Sequence, residues 1–386
     1  MTDDTSSGRR RDEPTRRTNR RHFLAATGAA GLASTAGCLS SFLGSGGNDV
    51  QPGLIGSSRQ GRDEPGGTSM KEMPDLQGTL TLYSGRHEWL VGRLVEYIEG
   101  EYEDFTVQPR YNDSATLVNE IVNAGDQSDA DVFYTVNAGS LGQLADGGRT
   151  AALPEEVLEK VDSAYRPDDG NWVGTSGRAR TVPYNTNALS ASDVPSDVMS
   201  FPDTDALAGE MGWAPGYGSF QAFVTAMRIL EGEDTTREWL NSMLDAGVTR
   251  YADEQRVAEA VANGEIRAGF ANHYYIQRVK SSDESAPIAT AFTENDAGSI
   301  FNVAGAAVVD STSDQDLAAN FVRHLLSAEA QEYFAIETNE YPLIEGVEPV
   351  GDLPTIDEID SPDIDLTQLS DLGPTIDLMR DVGIQV

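Results

Sequence analysis

Thr79-Leu80-Thr81-Leu82-Tyr83, Phe105-Thr106-Val107-Gln108-Pro109-Arg110-Tyr111 and Asp131-Val132-Phe133-Tyr134 are three short strand-like runs, each followed by a segment of helical periodicity. After the first, the polar turn Ser84-Gly85-Arg86-His87-Glu88 leads to Leu90, Leu94 and Ile98 at helical spacing, with Glu96 and Glu99 outside. After the second, Ser114 reads as the N-cap of a helix marked by Leu117, Ile121 and Val122. After the third, a helix runs from Ala138 to Ala145. This βαβαβ alternation predicts an α/β fold whose mainly parallel sheets are flanked by helices.

The pattern continues outward from there. Trp172 to Thr186 reads as a strand crossing between two lobes, with Arg178 and Arg180 alternating along it. Gly212 to Gln221 reads as a strand, a Gly-Pro turn and the start of a helix to Leu230. The amides of Gly218 and Ser219 at that helix start form an anion-binding end. Asp253 reads as the N-cap of a helix that Asn263-Gly264 ends. Ile266 to Ala271 is a short buried strand, and it runs through Asn272-His273-Tyr274-Tyr275 into a helix. Ile288 to Thr293 and Ile300 to Val309 are further strands, the second returning the chain to the first lobe. Helices follow around Leu317 to Leu325, from Gln331 to Ile336, and from Leu366 to Val382 with a break near Pro374.

A strand end that opens into a helix is where α/β proteins set ligand groups. Two adjacent phenols there, beside an imidazole, are hard donors, and hard donors suit ferric iron. Taken alone, such a pair more often serves plain packing, one tyrosine in the core and the other capping a surface, so the rest of the chain has to decide between the readings.

Thr18-Asn19-Arg20-Arg21-His22-Phe23-Leu24 resembles a twin-arginine export signal, and the apolar run Phe23 to Ala36 is too short to anchor in a bilayer. Leu32 to Cys38 ends in a lipobox-like Ala-Gly-Cys, so cleavage is expected before Cys38, with lipid on its thiol. Residues 1–37 are then a signal, and the Gly-, Ser- and Pro-rich residues 38–76 a flexible tether. Cys38 is the single cysteine. Lipidation leaves no thiol for a disulfide, a metal or a nucleophile. The following residues, about 310 in number, suffice for a two-lobed protein.

The chain carries 63 acidic residues against 27 Lys and Arg, a net charge of −36. Lys71, Lys160 and Lys280 are all its lysines. Such a surface repels nucleic acid and anionic membranes. It is similar to proteins of salt-loving organisms, where screening removes the self-repulsion.

Six stretches, in order across about residues 78–386, resemble the ferric-ion binding proteins of iron ABC importers. They are Leu82 to His87, Asp131 to Thr135, Ser176 to Arg180, Trp213 to Gln221, Asn263 to Glu265, and Asn272 to Tyr275. The resemblance implies a two-lobed, type II periplasmic-binding-protein fold. One lobe is expected from residues 77–180 plus 301–352 and the other from residues 181–300 plus 353–386. It implies Tyr274 and Tyr275 as paired phenolate ligands and His87 as an imidazole ligand. Gly218, Ser219 and Asn272 match positions that hold a synergistic anion such as phosphate or carbonate, and Tyr217 in the same loop matches a third tyrosine ligand. Two positions depart from the pattern. Val136 stands where some relatives have a carboxylate ligand, and Glu254 stands where an asparagine helps hold the anion, which a glutamate would repel. Glu88 is then the candidate for the missing oxygen, and Arg178 or Arg180 the counter-charge. His273 and His324 are expected away from the ligand set, His324 on a helix surface. A permease of an iron importer is the expected partner, the membrane is met through lipid on Cys38, and the receptor is expected to be a monomer.

Two other classes set the contrast. No Gly-x-Ser-x-Gly elbow, P-loop or His-Glu-x-x-His is present, which disfavours a lipid-anchored hydrolase. A receptor of the same fold for an organic acid or phosphonate needs arginines and backbone donors but not paired phenols.

Overall fold

The computed structural model describes residue 55 and residues 62–386. The expected signal, Cys38 and most of the expected tether lie outside the described residues. The tether's C-terminal end does not behave as a tether. Met70, Met73 and Leu76 are buried, and Gly66 donates its amide to the Gly346 carbonyl. Three scattered apolar residues in a polar stretch carry no period, so composition alone misses this packing.

β1 (Gly78–Ser84), β2 (Phe105–Tyr111) and β3 (Val132–Thr135) alternate with α1 (Glu88–Glu101), α2 (Ser114–Ala124) and α3 (Ala138–Asp146). β1 lies between β2 and β3 and is parallel to both. Leu80 and Leu82, with Leu94 and Ile98 of α1 and Leu117 and Ile121 of α2, are fully buried. Each such side chain contributes roughly 1.5–3 kcal/mol. The cap of α2 is Asp113, which accepts from the amides of Ala115 and Thr116, and Ser114 is the first helical residue. The Ser114 hydroxyl instead accepts from Thr135.

After β4 (Thr150–Ala151) and α4 (Glu155–Leu158), the chain enters β5 (Val173–Asn185), the strand that joins the two lobes. Up to Ala179, β5 pairs antiparallel with β11 (Phe301–Val309) and β12 (Tyr341–Pro342). From Arg180 onward it pairs antiparallel with β9 (Ala271–Asn272), β8 (Ala268–Gly269) and β10 (Ile288–Ala291). β6 (Met211–Trp213) runs parallel to β8 and to β7 (Thr249–Arg250). The sheets are therefore mixed rather than mainly parallel. Consecutive βα units run parallel, but β5 leaves the first lobe and β11 returns to it, so the connecting strands run in opposite senses.

α5 (Gly218–Glu231), α6 (Glu233–Asp245), α7 (Glu254–Asn263) and α8 (His273–Ser282) belong with the second group of strands. Asp253 caps α7 through the Arg256 amide, and Gly264, at φ +73°, ends it in the left-handed conformation that glycine adopts without strain. α9 (Gln315–His324) and α10 (Ala328–Tyr333) return to the first group, and α11 (Leu372–Asp381) packs on α5 and α6. The break near Pro374 falls just before α11, where Leu366–Ser370 forms a separate 3-10 turn.

His324 is fully buried, not on the surface. Its Nδ1 bonds to the Asn320 carbonyl at 2.7 Å, so Nδ1 carries the proton, and Nε2 accepts from the Tyr102 hydroxyl at 2.6 Å. Burial lowers its pKa, although the Asn320 carbonyl acts the other way. The unfolded chain therefore binds a proton below about pH 6.5 that the folded chain refuses, and stability falls as pH drops through that window. His324→Gln removes this slope. Urea titrations at pH 7 and pH 5 are expected to show wild type losing more stability than the variant as pH falls. Equal losses would contradict this.

Candidate metal centre

The crossover at Ala179–Arg180 brings the starts of α1, α5 and α8 around one cavity of about 410 Å3. Helix starts carry unpartnered amides and a positive field. Tyr217, Gly218 and Ser219 line the cavity from α5, Asn272, Tyr274 and Tyr275 from α8, and His87 from the loop before α1.

The three phenols converge. The Tyr217 and Tyr275 hydroxyls are 2.5 Å apart, and the Tyr274 and Tyr275 rings stand 4.4 Å apart. Asn272 donates its side-chain amide to the Tyr274 hydroxyl at 3.2 Å. Burial, then the nearby Tyr274 and Glu254, push the Tyr275 pKa far above that of a free phenol. Burial also raises Tyr217, against the hydrogen bond from Tyr275. Burial thus favours the protonated form of both hydroxyls. His87 is exposed and stacks on Trp89 at 6.3 Å.

Four expected residues behave differently from one another. Glu88 opens α1, is exposed and does not line the cavity, and its charge acts on Tyr111. Arg180 lines the cavity but is 1% exposed and ion-paired to Glu254 at 2.7 Å, so it is not a free counter-charge. Arg178 also lines the cavity, and its Nε and Nη2 have no hydrogen-bond partner among the described residues. Val136 forms part of the wall, an apolar group that offers no ligand atom to the cavity.

His273 is a structural pin. Its Nε2 bonds to the Asn339 carbonyl at 2.7 Å and its Nδ1 accepts from the Ala179 amide at 3.1 Å. Burial lowers its pKa to about 4. With both ring nitrogens engaged, it fastens the start of α8 to β5 and to the segment before β12 rather than offering a donor to the cleft.

Arg278 and Trp89 were not anticipated. Arg278 lies over the Tyr274 ring at 5.0 Å, the Tyr275 ring at 5.3 Å and the Trp89 ring at 5.8 Å, which is cation–π range. Its place four residues after Tyr274 puts both on one helix face, a signal the spacing did carry. Asn302, Thr338 and Glu340 also line the cavity. They come from distant segments, and only the fold assembles them. Among the described residues no group of three His, Cys, Asp and Glu side chains is placed to hold a metal, so any metal here depends on the phenols.

Two lobes joined at a strand crossover, with a polar cleft at the helix starts, define a solute receptor of the type II periplasmic-binding-protein class. The chain belongs to the family described as "Bacterial extracellular solute-binding protein", whose model matches residues 93–359. It is 30% identical over 293 residues to iron uptake protein A2 of Synechocystis, covering 70% of this chain and 79% of that protein. It is 28% identical over 313 residues to the Fe(3+)-binding periplasmic protein of Serratia marcescens, covering 79% of this chain and 90% of that protein. Iron-bound HitA from Pseudomonas aeruginosa superposes with a TM-score of 0.69 at 29% identity, over 79% of this chain and 99% of HitA. These relatives are solute-binding proteins, not enzymes.

Proposed function

We propose that this protein captures ferric iron in the inter-lobe cleft and hands it to the permease of an ABC importer. The convergence of Tyr217, Tyr274 and Tyr275 on one cavity, with His87 at its rim, carries this reading. A relative named for Fe(3+) binding at 28% identity and one named for iron uptake at 30% support it. A ferric ion is hard and highly charged, so it displaces phenol protons that burial otherwise retains. Tyr274, Tyr275, Tyr217 and His87 are the proposed ligands. Arg178 is the proposed contact for an accompanying anion such as carbonate or phosphate.

The lobes are proposed as residues 77–180 plus 301–352 and 181–300 plus 353–386, closing about the β5 and β11 crossovers as hinges. Twin-arginine export, lipid on Cys38, attachment at the extracellular face, a monomeric state and a high-salt habitat complete the proposal and rest on the sequence. Arg178, whose Nε and Nη2 have no hydrogen-bond partner among the described residues, favours one second reading, a receptor for an anionic organic acid or phosphonate. Visible absorption on titration with ferric nitrilotriacetate separates the two, because phenolate-to-iron charge transfer is coloured and carboxylate binding is not.

A further inference from the structure

Between the starts of α5 and α8 lies a compact set of donors. Asn272 offers its backbone amide, Ser219 its hydroxyl, and Arg180 reaches in from β5 with its guanidinium. One amide, one hydroxyl and one guanidinium at two helix starts make the donor set that an oxyanion requires. All three are already used. The Glu254 carboxylate accepts from the Asn272 amide at 2.9 Å, from the Ser219 hydroxyl at 2.6 Å and from Arg180 Nη1 at 2.7 Å. Arg180 Nη2 is held by the Ser219 carbonyl at 2.5 Å.

We propose that Glu254 is a built-in anion that fills this pocket, so that phosphate or carbonate enters there only when its carboxylate is removed. Glu254 is in the first turn of α7, where a glutamate meets the helix dipole just as well when facing water. Here it is 0% exposed. Burying a carboxylate is heavily penalised unless it is paired and hydrogen-bonded, and this one is both. A free anion would have to displace a tethered competitor at high effective concentration. It would also arrive where Arg180 has already been neutralised. The repulsion expected of Glu254 from sequence is thus better described as occupancy. Ser219, Asn272 and Arg180 serve an internal carboxylate, and Arg178 keeps its Nε and Nη2 without a hydrogen-bond partner among the described residues. Glu254 acts as a positioning residue, since it does not line the cavity itself. It orients Asn272, whose side chain holds the Tyr274 hydroxyl.

The test has two arms, and only the second rests on the iron reading. In the first, phosphate is titrated by calorimetry into metal-free protein in an Arg178→Gln background, which removes the cleft arginine whose Nε and Nη2 have no hydrogen-bond partner among the described residues. With Glu254 intact no binding is expected up to about 10 mM phosphate, whereas Glu254→Ala is expected to bind at about 1 mM or tighter and to melt higher as phosphate is added. Glu254→Gln, which keeps the shape and drops the charge, guards against an alanine variant that fails to fold. Equal phosphate binding with and without the carboxylate, or none in either variant, overturns the proposal. In the second arm, ferric affinity in the same Arg178→Gln background is expected to change less than about 3-fold on adding phosphate while Glu254 is intact, and to gain at least about 10-fold once Glu254→Ala is added. A gain of about 10-fold or more in the Arg178→Gln chain with Glu254 intact contradicts the proposal. If no variant forms a coloured iron complex while the first arm behaves as expected, the iron reading fails and the role of Glu254 stands.

Discussion

Replacing Tyr274 and Tyr275 together with Phe is expected to lower ferric affinity by at least about 1,000-fold, or about 4 kcal/mol, and to remove the visible band. Phenylalanine retains the rings and their packing but not the anionic oxygens that a hard cation requires. Folding is expected to survive. Tyr274 makes one hydrogen bond, to the Asn272 side chain, and Tyr275 makes one, to the half-buried Tyr217 hydroxyl, which then turns toward the cleft. Losing such bonds costs about 1 kcal/mol each where the freed partner reaches water. A double variant that binds within tenfold of wild type, by competition with nitrilotriacetate, would remove the phenols from the site. A receptor for an organic acid would keep its affinity in the same variant.

The largest stability effect is expected at Arg86. Its side chain is fully buried between the Tyr134 and Phe334 rings and bonds to Ser176 and to Glu340 at 2.8 and 2.5 Å. Burial drives the Glu340 carboxyl upward, but Arg86, Arg178 and the hydrogen bonds from Arg86 and Thr338 outweigh it and hold it below the ordinary glutamate range. The network ties the loop after β1 to β5 and to the segment entering β12. Arg86→Met strands a buried carboxylate and is expected to cost about 3–5 kcal/mol in urea titrations. That is a large share of the 5–15 kcal/mol typical of a domain. Adding Glu340→Leu to Arg86→Met is expected to restore most of the loss, because the uncompensated charge goes with it. A loss under about 1 kcal/mol for Arg86→Met alone would mean that water or Arg178 compensates Glu340 fully.

The strand-helix units were legible because each has a strong local period and a recognisable start or stop. Leu90, Leu94 and Ile98 lie on α1, and Asp253 and Gly264 bound α7 as their chemistry dictates. The paired tyrosines were legible as a pair because they sit at a strand-to-helix junction. What distant segments do to one another was not legible. Glu254, Arg180, Ser219 and Asn272 are separated by up to 92 positions, and only the crossover of β5 makes one ion pair and one pocket of them. His324 misled for a related reason. It lies on an amphipathic helix, but the phenol that covers it, Tyr102, comes from 222 residues away. Arg86 looked like part of a polar turn, and its acid partner, 254 residues on, turns it into core.

The central claim is tested most directly by the visible spectrum of the purified protein as ferric nitrilotriacetate is added near neutral pH. Phenolate ligation predicts a broad charge-transfer band and a red to orange complex that saturates at one iron per chain and fades as acid returns the phenolic protons. A protein that stays colourless through that titration, or a band that persists undiminished when Tyr274 and Tyr275 are both Phe, would contradict it.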